Sequence, residues 1–162
     1  MDRVSVLAGA ALLCFASIGA AQADEALKFR GVMHAAFAEF QQLDDIDGHT
    51  FGMNRHSGIA SLPDGTAGTC YLVANTDYVR GAGTFTSFNG LTLKDGSELW
   101  YRASGKTRVD GPSSQFEGTV TIVGGKGRFE GAKGDGTFTG TRLSPLAVGA
   151  DLYIDWIINV KK

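Results

Sequence analysis

Cysteine is nearly missing from this chain, with two residues in 162, at positions 14 and 70. A disulfide framework is therefore excluded. Proline is almost as scarce, at three residues against 23 glycines. That much glycine excludes a helical bundle, because glycine weakens helix interiors and suits turns and bulges. It follows no Gly-X-Y period, so a collagen-like chain is excluded too. Excess positive charge is also lacking. The formal net charge is −2, whereas a non-specific nucleic-acid binder needs a basic surface. With 43% hydrophobic and 20% charged residues, the composition is that of a folded globular protein rather than a disordered one. The length suits a single domain with one core.

The first residues stand apart. Arg3 supplies a short positive start, and Val4 to Ala21 is a nearly unbroken run of apolar and small residues. The run ends in Ala21-Gln22-Ala23, the small-x-small pattern that a signal peptidase reads. Residues 1–23 are read as a cleaved signal peptide, and residues 24–162 as one β-barrel domain, exported to the periplasm or the extracellular medium. A transmembrane anchor fits less well, since the run is of marginal length, rich in alanine and glycine, and without a basic far flank. Cys14 follows Leu13, not the small residue that lipoprotein cleavage wants, and leaves with the signal. Cys70 is then the lone mature thiol. No charged neighbour in sequence lowers its pKa, so a buried, inert thiol is expected. No second long apolar run follows, so no membrane contact is expected after cleavage.

From Asp24 onward the pattern is two-residue alternation broken by turn signals. Strands are predicted over 28–42, 50–61, 68–79, 83–93, 98–107, 115–123, 131–142 and 150–160. The Ala35-Ala36-Phe37-Ala38 stretch of the first also fits a helix. Pro63-Asp64-Gly65, Asp95-Gly96 and Asp110-Gly111-Pro112 mark turns. In the sixth strand Phe116, Gly118, Val120 and Ile122 share one face, and in the last Leu152, Ile154, Trp156, Ile158 and Val160 do so. Leu99, Tyr101 and Ala103 form the natural inward face of the fifth, leaving Glu98, Trp100 and Arg102 outside. Short connections throughout leave a sandwich or an up-and-down barrel, and the absence of a long crossover favours the barrel. The expected fold is all-β, an eight-stranded antiparallel up-and-down barrel. Its interior is either just filled by side chains or holds one small ligand.

One segment is distinctive, running Val120-Thr121-Ile122-Val123-Gly124-Gly125-Lys126-Gly127-Arg128-Phe129-Glu130-Gly131-Ala132-Lys133-Gly134. It resembles the Thr-Gly-Gly-x-Gly-x-Phe-Glu-Gly-x-x-Gly signature of plant allene oxide cyclases, with Val123 in the threonine position. Dirigent proteins carry a looser version of the same corner. The resemblance implies an eight-stranded barrel that binds a small hydrophobic molecule, and a homodimer or homotrimer. From the residues themselves the motif is structural. Gly124, Gly125, Gly127 and Gly131 permit a sharp corner. Phe129 is expected to plug the barrel end, and Glu130 to hold the corner by accepting backbone N–H groups. The cyclases also carry a Glu-x-Asn pair on the first strand, lining the cavity, which the resemblance transfers to Glu39 and Gln41. Gln41 is one methylene longer than the asparagine, and the proline that accompanies the pair is absent here. Glu39 also reads as a solvated residue of the outer face. Dirigent chemistry uses acidic residues at the cavity mouth, for which Asp77 and Asp155 are candidates on strand grounds.

Other chemistry finds little support. Gly105-Lys106-Thr107 would end a phosphate loop only if position 100 were glycine, and it is Trp100. Asp45-x-Asp47-Gly48 lacks the first and last ligands of a calcium loop, having Leu43 and Asn54 there. His34, His49 and His56 show no metal-ligand spacing and read as surface or hydrogen-bonded histidines. No nucleophile elbow is present, and no cofactor motif is recognisable. The leading expectation is an exported barrel with a small hydrophobic molecule in its lumen, near Tyr71, Tyr101 and Trp156. The alternatives are a cofactor-independent cyclase or isomerase using Glu39 and Gln41, a scaffold steering phenolic radical coupling, and a packed barrel acting through its surface.

Overall fold

The computed structural model describes residues 25–162; the expected signal segment lies outside the described residues. Eight strands follow one another: β1 (Glu25–Gln42), β2 (His49–Ser61), β3 (Ala67–Val79), β4 (Ala82–Leu93), β5 (Glu98–Asp110), β6 (Ser113–Lys126), β7 (Lys133–Arg142) and β8 (Asp151–Lys161). Each pairs antiparallel with the next, and β1 pairs with β8 from Glu25↔Val160 to His34↔Asp151, closing an up-and-down barrel. Each strand lies within a few residues of its predicted span. The helical alternative for Ala35–Ala38 gives way to a strand carrying a bulge between Ala35 and Phe37. Closure of a barrel needs such local bends, and a bulge provides one.

Loops alternate between the two barrel ends. The β1–β2, β3–β4, β5–β6 and β7–β8 loops share one end. The β2–β3, β4–β5 and β6–β7 loops share the other, where the glycine corner sits. There Gly127–Phe129 forms a single 3-10 turn, with Gly127 at φ +63°, a backbone state that favours glycine. Phe129 is buried in the core cluster. The corner is held by a backbone carbonyl and the Ser97 hydroxyl, not by the Glu130 carboxylate expected from the sequence. Glu130 N–H donates to the Gly127 carbonyl at 3.1 Å, and Arg128 N–H donates to Ser97 Oγ at 3.1 Å. The Glu130 side chain is exposed.

The inward sets of β6 and β8 are those their alternation predicts. Gly118 is half-buried, and the other members of both sets are buried. Along the axis runs an aromatic stack: Tyr101 and Trp156 centroids lie 5.1 Å apart, Phe138 and Trp156 4.8 Å, and Phe85 and Phe138 5.9 Å. Such pairs add about 0.5–1.5 kcal/mol each beyond their buried area. Glycines make room for these rings. A Cβ at Gly118 would lie 2.8 Å from Phe138 Cζ, and one at Gly105 would lie 3.0 Å from both Phe85 Cζ and Phe138 Cζ. On the glycine-rich β7, Gly140 makes room for the Phe116 ring, while Gly136 lets the backbone of β8 approach closely at Ile157.

Candidate functional site

The lumen has two unlike halves. Towards the glycine corner it is filled by apolar side chains, among them Leu27, Phe29, Leu91, Leu99, Ile158 and Phe129. Towards the β7–β8 loop the inward positions become polar: Asn54 and His56 on β2, Thr76 and Tyr78 on β3, Thr107 on β5 and Arg142 at the end of β7, all buried. These residues line a cavity of about 40 Å³, together with Phe85, Phe116 and Leu146. That is room for about three water-sized groups.

Some of these groups are satisfied internally. Tyr78 Oη and Thr107 Oγ1 are 2.8 Å apart. Arg142 Nε donates to the Ser144 carbonyl and Nη2 to Ser114 Oγ, both at 2.9 Å. Others are not. Asn54 Nδ2, both ring nitrogens of His56, and Trp156 Nε1 are buried without a protein partner. An orphaned buried polar group costs about 1–3 kcal/mol, so a folded chain seldom keeps several side by side. Electrostatics make the site positive. Burial, then the Arg142 guanidinium, then His34, push the His56 pKa down to about 4, so the ring is neutral at pH 7. Burial also lowers the pKa of Arg142. Arg142 is the one buried side chain of formal charge at neutral pH among the described residues.

The residues expected from sequence fall on both sides of the wall. Tyr101 and Trp156 are inside, 1% and 2% exposed, and Trp156 lines the cavity. Tyr71 lies outside, its ring covering Gly90 of the neighbouring strand. Glu39 and Gln41 do not line the lumen. The β1 bulge resets the alternation, so Ala38 faces inward opposite Asn54, while Glu39 and Gln41 pair with the exposed Met53 and Phe51 on the outer face. Asp77 and Asp155 are outside as well. Asp77 Oδ1 is 2.7 Å from His49 Nε2, and Asp155 accepts two 2.7 Å hydrogen bonds from Arg30. Leu99, Tyr101 and Ala103 are buried, while Arg102 is exposed and Glu98 pairs outside with Lys126 at 2.7 Å. Cys70 is buried and free, and burial pushes its thiol up to about 11. Gly124, Gly125, Gly127 and Gly131 stand at the corner with Phe129 and Glu130, far from the polar cavity.

His34 and His49 are hydrogen-bonded to surface aspartates, Asp151 for the first and Asp45 and Asp77 for the second. His56 departs from that expectation, being buried and unpartnered. Asn54, His56 and Arg142 were missed because inward polar residues read as outward ones. A signal did exist: Phe138, Gly140 and Arg142 share parity, and Phe138 has to face the core. Compared with family models, with curated proteins and with solved structures, the chain gives no match.

Proposed function

We propose that this chain is an exported binding protein that holds a small molecule in the polar half of its barrel. The observation that carries this reading is the set of buried, unpartnered polar atoms on Asn54 and His56 at the edge of a cavity. A barrel selected for stability alone would have apolar side chains there, as the opposite half does. A ligand that bonds these groups, with its apolar part against Phe85, Phe116 and Leu146, accounts for both features. The cavity volume sets a limit, because only a small group enters without movement of the β7–β8 loop.

The Glu39 and Gln41 pair gains no support as an acid–base site, since neither side chain reaches the lumen. Kinship with the allene oxide cyclase and dirigent barrels rests on the Gly124–Gly131 corner and on the strand order. Export rests on the Val4–Ala21 run and the Ala21-Gln22-Ala23 site.

A second reading is that the barrel acts through contacts between copies, as a homodimer or homotrimer. It is favoured by Phe51 and Met53, successive residues of the outer face of β2, which are 50% and 46% exposed. Clustered exposed apolar residues of this kind mark interaction surfaces. Native mass spectrometry of the mature protein from its own exported fraction separates the two readings. A reproducible extra mass, lost on denaturation, is expected for the lumen binder. A bare protein at a defined oligomer mass favours the surface reading.

A further inference from the structure

The polar half of the lumen holds a charge that the protein does not balance. Arg142 is 4% exposed. Its hydrogen bonds go to the Ser144 carbonyl and the Ser114 hydroxyl, and the Tyr78 hydroxyl also faces it, so all its neighbours are neutral at pH 7. None of the ion pairs among the described residues includes it. A buried guanidinium normally sits against a carboxylate, because desolvation of an unpaired cation is expensive. Here no carboxylate is buried among the described residues. Two of the unpartnered groups line the cavity with it: the Asn54 amide N–H₂, which is a donor, and the His56 ring, which donates from one nitrogen; the third, Trp156 Nε1, lies deeper, towards Gly31.

We propose that this half of the lumen receives the carboxylate of a small monocarboxylic acid, with Arg142 as its charge partner and Asn54 and His56 as flanking donors. The proposal rests on the lumen being a binding site, and it names the ligand class. Three features select a carboxylate. There is one cation, which neutralises a monoanion and leaves a phosphate dianion half-compensated in an apolar wall. The cavity of about 40 Å³ takes about three heavy atoms, the number in a carboxylate. A planar guanidinium also matches a carboxylate fork. The rest of the acid is apolar and runs towards the mouth, past Phe85, Phe116 and Leu146. Amines are excluded by like charge, and neutral ligands leave Arg142 uncompensated.

The test is calorimetric titration of the mature chain with benzoate and hexanoate, each against its neutral amide, and with inorganic phosphate. Each acid is expected to bind about tenfold or more tightly than its amide, with shifts in the His56 ring resonances. Arg142→Met is expected to erase the difference, and Asn54→Ala to weaken the acid while keeping the preference. If Arg142→Met does not fold, the acid and amide pairs on the wild-type chain still decide. Equal binding of acid and amide, or phosphate binding more tightly than either acid, overturns the carboxylate assignment and leaves the lumen a binding site. No binding by any probe, together with a bare native mass, overturns both.

Discussion

The two halves of the lumen share the same eight strands and the same inward–outward alternation, yet they are built to opposite ends. Near the glycine corner the inward groups are almost all apolar, and Leu91, Leu99 and Ile158 are fully shielded from solvent. Near the β7–β8 loop the chain keeps a cation, an imidazole and an amide, with donors left open. Leucine or phenylalanine would serve stability better at those positions. One half maintains the fold, and the other retains polar groups at its expense.

The difference should be measurable. The largest effect is expected in the packed half: Leu99→Ala should lower unfolding free energy by about 2–5 kcal/mol, read by urea denaturation, because it leaves a cavity in a closed wall. A cost under about 1 kcal/mol would mean that the half is not tightly packed. The next concerns pH. The folded-state pKa of His56 lies below its unfolded value, so its neutral form is lost later in the folded chain. Between pH 6.5 and about 4 the unfolded chain takes up a proton that the folded chain refuses. This removes about 3 kcal/mol of stability as pH falls, and His56→Gln should abolish that loss. His49 behaves oppositely. Its hydrogen bonds to Asp77 and Asp45 raise its pKa, so the stability it lends is full below pH 6.5 and fades as pH rises through the raised value. Comparing the His56→Gln profile with wild type therefore isolates the buried ring.

Smaller effects sharpen the contrast. Asn54→Leu should leave the fold intact and raise stability by about 1 kcal/mol, while abolishing any retained mass. A loss of stability would show that the amide is already well solvated. The smallest is Glu39→Ala on the outer face, expected to change stability by less than about 0.5 kcal/mol and to leave ligand retention untouched. Loss of retention there would return β1 to the site.

The fold was legible because turn chemistry and alternation agree. Pro63-Asp64-Gly65 and Asp95-Gly96 fall between strands, Asp110-Gly111-Pro112 straddles the end of β5, and β8 alternates without interruption. The site was far less legible, for two physical reasons. A bulge at Ala35–Phe37 reverses every later side chain of β1 and carries no strong local signature, so alternation alone leaves both the lumen and the outer face open for Glu39 and Gln41, and the structure puts them on the outer face. Alternation also labels a face as polar or apolar, not as inner or outer. On β3, Tyr71 and Val73 make the outer face nearly as apolar as the inner one of Cys70 and Leu72. Near the mouth the inner face turns polar and resembles a surface.

Closure of the barrel by its first and last strands has a kinetic consequence. Arg30 on β1 reaches Asp155 on β8 across 125 positions of chain. Contacts at such separation form late, after the entropy of joining distant ends has been met. Until β8 is in place, β1 and β7 each keep one neighbour, β2 and β6, and lack the other. Docking of β8 therefore completes the barrel, burying Trp156 and sealing the aromatic stack.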